Sequence, residues 1–354
     1  MSTVLLDLVS NAADKQLRVM DNGSSSSSSS IALNILDISR EASWLIFSAL
    51  HLCFLFILVS NIVILIAVVL SPELHKPMHM FLCYLAVADI VGSATIIPKQ
   101  LQILASGCSD ISYVGCMGQA FCINMFVIAE SLSLSFISTD RYLAICKPLH
   151  YHAILPLKRS VYIIILAWLS TVAACVAILV YTLSLQMKDG NRSIDAAFCY
   201  SIYIVNLSVS DTTSTRMLLS ACIVMFIGLP PLILMYTFIR VCLEFTKPSS
   251  PALSKKAKET LVTQLLVTSI YFISLLTIIV RGRLIRSSGG GTENKSVNYV
   301  IELSILVPMA VNVIIFGLRI TELRKAIANL FQRRFTILPI DVKSKKIGLQ
   351  TRHG

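Results

Sequence analysis

The chain has 354 residues, of which 55% are hydrophobic and 14% charged, and it carries a formal net charge of +11. At roughly 150 residues per soluble domain the length would allow two domains, but this balance of apolar and charged residues is not that of a water-soluble protein. It leaves little room for a soluble catalytic domain and points to lipid as the surrounding solvent.

Residues 1–41 hold Asp7, Asp14, Lys15, Arg18, Asp21 and a serine run over 24–30. Such a stretch cannot bury enough apolar surface to fold alone, so a disordered extracellular tail is predicted. Val4-Leu5-Leu6 is cut short by Asp7 with no basic residue ahead of it, a poor signal-peptide core, so the first membrane helix is expected to serve as the targeting signal. Seven apolar segments follow, at about 42–70, 78–104, 116–145, 161–183, 217–243, 261–280 and 297–318. Each suffices to span a hydrocarbon core, which takes about 20 residues. Backbone groups in lipid must bond within the segment, which favours helices, and a run such as Ile62 to Leu70 does not alternate as a barrel strand would. The predicted fold is an all-α membrane protein, a seven-transmembrane helix bundle over 42–318. In 319–354, Leu323, Ile327, Leu330 and Phe331 fall near one helical face with Arg324, Lys325, Arg333 and Arg334 elsewhere. That pattern predicts a short amphipathic eighth helix on the inner leaflet, followed by a cytoplasmic tail. No cysteine follows Cys242, so no palmitoyl anchor is available at that helix.

Basic residues give the orientation. With the N-terminus outside, the cytosolic side holds 19 of the 30 Lys and Arg but only Glu73, Asp140, Glu244, Glu259, Glu322 and Asp341 among the acids. The net positive charge therefore reads as attraction to membrane lipids and docking of an inner partner, with no nucleic acid expected. Sequons begin at Asn22, Asn191, Asn206 and Asn294, all on the side the charge rule places outside, and are predicted glycosylation sites of a multi-pass plasma-membrane protein. Ten cysteines do not make a disulfide scaffold. Cys116 opens the third segment on the outer side and Cys199 is the one cysteine of the long outer loop near 184–216, so these two are expected to pair. Cys108 is expected outside without a mate.

Ionisable groups inside lipid are costly and mark function by default, which singles out Asp89, Glu130 and Glu302. A purely structural, hydrogen-bonded role is the alternative for each. At the inner end of the third segment the run Ser138-Thr139-Asp140-Arg141-Tyr142-Leu143-Ala144-Ile145-Cys146-Lys147-Pro148-Leu149-His150-Tyr151 places an acid beside a base at the lipid boundary. Asp140 can neutralise Arg141 there, and a change of helix packing can release the guanidinium to an incoming protein.

That run resembles the helix-three signature of rhodopsin-like G-protein-coupled receptors, in the form typical of olfactory receptors. Further matches follow the family's order: Pro77 to Asp89 with Pro98-Lys99-Gln100-Leu101, Glu130-Ser131, and Pro308-Met309-Ala310-Val311-Asn312 with Leu318-Arg319. Together they cover about 40–335. Two departures stand out: Asn312-Val313-Ile314-Ile315-Phe316 lacks the proline and tyrosine usual in helix seven, and Leu261 replaces a usual cysteine.

The resemblance implies a receptor that binds a small-molecule odorant and activates a heterotrimeric G protein of the stimulatory, olfactory class, with Asp140, Arg141 and Tyr142 as the G-protein switch. It implies a polar core of Asn61, Asp89, Glu130 and Asn312, holding either a structural sodium ion or a protonated carboxyl pair bridged by water, and no other cofactor. It places the ligand pocket in the outer half of the bundle, drawing on Ile123, Asn124, Val127, Ile128, Tyr271, Phe272, Glu302 and Lys99. Lys99 and Glu302 could pair with each other or separately meet a charged ligand group. Lys255, Lys256 and Lys258 would flank the G-protein cleft or serve only as topogenic charge.

Other classes fit less well. Hydrolase, zinc-protease and nucleotide-binding motifs are absent from the sequence, and His75 and His79 have no third metal ligand beside them, so no enzyme is expected. An ion-coupled transporter would show related halves, which are not found. A rhodopsin-like receptor for a non-odorant endogenous ligand is the alternative within the receptor class.

Overall fold

The computed structural model describes residues 30–33, 39–187, 193–194, 196–245, 255–287, 295–319 and 323–328. Helix α1 spans Arg40–Leu70, α2 Pro77–Ser106, α3 Tyr113–Cys146, α4 Leu157–Leu183 and α6 Lys255–Ser287. Helix α5 is composite, running Thr213–Ile223, a π-helical turn Val224–Gly228 and then Leu229–Phe245, while α7 consists of Lys295–Leu303 followed by Leu306–Arg319. Six of these are long and apolar enough to cross a membrane, and α6 contributes the shorter apolar stretch Thr268–Arg281.

Local chemistry sets the helix ends and irregularities. Ser39 caps α1 by accepting from the Ala42 N–H, Ser112 caps α3 by accepting from Gly115, and Pro77 stands in the first turn of α2, where its missing N–H costs nothing. Helix α2 ends at Gly107, whose φ of 71° only glycine adopts without strain. In α5, Pro230 and Pro231 cannot donate to the preceding turn, and the π turn sits just ahead of them. In α7 the break at Ser304-Ile305 leaves Pro308 in the first turn of the second segment. The helix therefore has an irregularity despite lacking a proline at Val313.

Helix α3 is central, with 67% of its apolar window buried against 22% for α4 and 11% for α5. The outward faces of the peripheral helices carry Leu45, Val69, Leu169, Leu232 and Ile273, an apolar surface that lipid satisfies and water would not. Gly92 lets α2 approach α3 and α7, since a Cβ there would lie 2.6 Å from the Phe126 ring and 2.8 Å from Met309. Residues 323–328 are helical, with Leu323 buried against Ile64, Val68 and Val313 and with Arg324 and Lys325 exposed, the amphipathic pattern expected of an eighth helix. Leu330, Phe331, Arg333 and Arg334 lie outside the described residues.

The predicted tail needs correction at its C-terminal part. Ser30–Leu33 forms strand β1, which pairs antiparallel with β2 (Asp110–Ser112) and parallel with β3 (Ser193–Ile194), in the order β2-β1-β3. Ile31 and Leu33 are 1% and 0% exposed in the main core cluster, so this segment does find apolar surface to bury against, on the bundle rather than within itself. The serine run up to residue 29 lies outside the described residues.

Candidate functional site

At one end of the bundle the chain between α4 and α5 dips among the helices. Ala196, Ala197, Phe198 and Cys199 are at most 3% exposed, and a short helix, Ser201–Asn206, follows them. A buried loop must satisfy its peptide groups. Gln100 of α2 donates to the Ala197 carbonyl, the Ala197 N–H donates to Glu302 Oε2 of α7 at 2.5 Å, and the Cys199 N–H donates to Gln119 Oε1 of α3 at 2.9 Å. Cys116 and Cys199 form a disulfide with Cα atoms 5.4 Å apart, the pairing expected from the sequence. Cys108 is exposed, with a free thiol.

Glu302 anchors this end. Its Oε1 accepts from Arg281 Nη1 of α6 at 2.5 Å and from the Tyr203 hydroxyl at 3.3 Å, so one buried carboxylate ties α6, α7 and the loop together. Of the two alternatives left open for Lys99 and Glu302, the mutual pair is not formed, since Glu302 pairs with Arg281. Lys99 is half-buried and donates to Gln102 Oε1 at 3.2 Å and the Asp110 carbonyl at 2.6 Å, because its position on α2 lies beside β2. Arg281 and Tyr203 were not anticipated. Arg281 stands at the end of an apolar run beside Arg283 and resembles an ordinary boundary charge.

The other expected pocket residues are largely packed. Ile123, Val127 and Ile128 are buried, and Tyr271 donates to the Val127 carbonyl at 2.8 Å while meeting Phe272 edge-on. Asn124 donates to Ser201 Oγ at 2.7 Å and borders a small gap between α3 and α4, lined also by Phe121, Cys175, Ile178 and Thr182. The space beside the expected residues therefore opens toward α4 at Asn124.

Midway along the bundle, Asn312 donates to Glu130 Oε1 at 3.0 Å and Asn61 donates to the Ile57 carbonyl. Asp89 lies within reach of Glu130 and Asn312, yet neither of its oxygens meets a donor in bonding geometry among the described residues. Two ionised carboxylates have no proton to share, and a proton, water or hard cation would complete the set. A small gap lined by Asn61, Asp89 and Asn312 adjoins them. The oxygen-rich donors fit a monovalent cation or water equally, and among the described residues no cluster of three or more His, Cys, Asp or Glu forms a metal site.

At the opposite end Asp140 is buried and Arg141 Nε lies 3.9 Å from it, while a shorter bond of 2.7 Å comes from the Tyr151 hydroxyl. Burial and the neighbouring Asp140 push the Tyr151 hydroxyl pKa up, so it remains a donor through the neutral range. Arg141 is thus held loosely, with no hydrogen-bond partner for Nη2 among the described residues, beside a small gap lined by Ser138, Leu234, Thr237, Phe238, Val241 and Leu265. Ser138 and Thr237 join α3 to α5 at 2.5 Å, and Tyr142 meets Tyr236 edge-on. Tyr151 closes the helix-three run in the sequence, but nothing there signalled its bond to Asp140. The side chains of Lys255, Lys256, Lys258 and Phe316 are outside the described set.

Among the expected glycosylation sites only Asn206 is described. It lies half-buried at the end of the short helix, and its Oδ1 accepts from Arg216 at 3.0 Å. Asn22, Asn191 and Asn294 lie outside the described residues.

Seven helices with α3 at their centre, a disulfide-pinned loop at one end and an acid-base pair beside a small gap at the other define a seven-helix membrane receptor. The family model described as 7 transmembrane receptor (rhodopsin family) matches residues 60–316. The chain is similar to human olfactory receptor 2L2, at 31% identity over 319 residues that cover 90% of this chain and 99% of the relative. It is also similar to human olfactory receptor 2AT4, at 32% identity over 65% of this chain and 72% of the relative, and to mouse olfactory receptor 7A40, at 28% identity over 85% and 96%. The chain belongs to the olfactory receptors of the rhodopsin family. It is a non-enzymatic, multi-pass signalling receptor of the plasma membrane that acts through G proteins.

Proposed function

We propose that the disulfide-bearing end faces outside and receives an odorant, and that the Arg141 end faces the cytosol and engages a heterotrimeric G protein of the stimulatory class. The observation that carries this reading is the loosely held Arg141, whose guanidinium borders a small gap between α3, α5 and α6 that would have to widen to admit a peptide terminus. Agonist must bind the arrangement with that cleft open better than the one with it closed, since equal affinity would shift nothing. Tyr151 engages the Asp140 carboxylate and leaves Arg141 only a 3.9 Å contact with it, and Tyr142 braces α3 on α5.

The ligand site takes in Asn124, Ile123, Val127, Ile128, Tyr271 and Phe272 beneath the loop, with Glu302 fastening the loop rather than meeting the ligand. Asp89, Glu130, Asn61 and Asn312 form a polar core that takes water or a sodium ion. Basic residues near Arg324 and Lys325 contact acidic lipid headgroups. The test is G-protein recruitment in cells displaying the receptor, challenged with neutral, acidic and basic odorants. Recruitment by one class, weakened by Asn124→Leu, is expected. Recruitment unaffected by Asn124→Leu and Phe272→Ala would sink the placement of the ligand.

A further inference from the structure

The sheet order β2-β1-β3 makes the N-terminal strand the element through which two other segments are joined. Strand β2 lies between α2 and α3, and β3 lies in the connection between α4 and α5. They do not pair with each other; each pairs with β1, through Ser30–Ser112, Ile31–Ile111 and Ala32–Asp110 on one side and Ala32–Ser193 and Leu33–Ile194 on the other. The Leu33 N–H extends the first ladder by donating to the Ser109 carbonyl at 3.2 Å. The side chains alternate as a strand requires: Ser30 is exposed, whereas Ile31 and Leu33 face inward. They join the core cluster that contains Tyr113, Cys116, Met117 and Ala120 of α3, Ile194 of β3 and Ala196 to Tyr200 of the buried loop.

We infer that Ser30–Leu33 is a positioning element of the receptor's ligand site, with Ile31 and Leu33 as its anchors, seating the loop that roofs the site. This rests on the proposed ligand placement for its functional part, though not for its structural part. Without β1 the strands β2 and β3 lose their common partner, and the loop keeps its disulfide and its bonds to Gln100, Gln119 and Glu302. The loop then stays attached but its height above Asn124 is no longer fixed, so the size of ligand accommodated changes.

The experiment uses the full-length receptor in nanodiscs. Hydrogen exchange is followed at residues 109–112 and 193–194 in the wild type, Leu33→Ala, Leu33→Met, Ile31→Ala and the exposed-face control Ser30→Asp. Leu33→Ala and Ile31→Ala are expected to speed exchange about tenfold or more in both segments, Leu33→Met to restore protection and Ser30→Asp to leave it unchanged. Acceleration in only one segment, or in neither, would overturn the joining role. In parallel, potencies are measured for straight-chain aldehydes of increasing length. A change in the length preference with Leu33→Ala, reversed by Leu33→Met, is expected. Faster exchange with an unchanged preference would overturn the positioning role, whereas wild-type silence to every aldehyde would count against the choice of odorant and leave the exchange result to decide.

Discussion

The Arg281–Glu302 pair offers the sharpest energetic test. Both side chains are buried, and Glu302 also accepts from the Ala197 N–H and the Tyr203 hydroxyl. Removing one partner of a buried pair leaves an uncompensated charge, at a cost of about 3–5 kcal/mol. Glu302→Gln incurs that cost and in addition turns an amide NH2 toward one of the three donors, for about another 1–3 kcal/mol. Arg281→Met leaves the carboxylate two donors, so its cost falls near the lower bound of the pair. In the double variant the Gln amide meets only Ala197 and Tyr203, and the buried guanidinium charge is gone. The double variant is therefore expected to cost less than the two singles combined, by about 2 kcal/mol or more. Thermal unfolding of the purified receptor at one scan rate measures this. At about 2 °C per kcal/mol for a chain of this size, Glu302→Gln, at about 4–8 kcal/mol in all, should lower Tm by about 8–16 °C, and the double variant by less than the two single shifts combined. Strictly additive shifts, or a Glu302→Gln shift under about 2 °C, would refute the pair as an anchor.

Three further outcomes are expected. Gly92→Ala should destabilise by about 1–3 kcal/mol, because a methyl there meets the buried Phe126 ring, and thermal unfolding with Gly92→Ala/Phe126→Leu should recover part of the loss. Tyr151→Phe removes a bond to a buried carboxylate and lets Asp140 lean on Arg141 instead, so agonist potency should fall by up to about tenfold in a dose–response assay. Folding favours the protonated Tyr151, so its contribution is present at neutral pH and lost only as pH rises above about 10; a wild-type to Tyr151→Phe potency ratio that varied between pH 6.5 and about 8.5 would contradict this. Cys116→Ser should cost about 2–5 kcal/mol and reduce surface display to the same extent as Cys199→Ser, with no further loss in the double variant.

Much of the architecture was legible because lipid imposes it. A helix that crosses hydrocarbon must be a long apolar run, and the seven runs read from the chain correspond to α1 through α7. Helix α6 extends well beyond its predicted 261–280, since the charges flanking that run are still compatible with helix. The disulfide was legible because few cysteines lay on one side. What escaped was non-local. Strand β1 is four residues long and its partners lie some 80 and 160 positions away, so its short Ile31/Leu33 alternation carried no visible purpose. Glu302 was marked as functional by its charge, but its partner depended on the relative register of α6 and α7, which no periodicity within either helix reveals. The bond from Lys99 to the Asp110 carbonyl depends on where β2 settles against α2, and Tyr151 acquires its role only when the turn after α3 folds back on Asp140.

The account rests on Arg141 as the G-protein switch at the end of the bundle opposite the ligand site, and agonist-driven cyclic AMP in cells displaying equal amounts of wild type and Arg141→Ala tests it most directly. The response should be lost in the variant while ligand binding persists. An undiminished response at equal surface display would contradict the account.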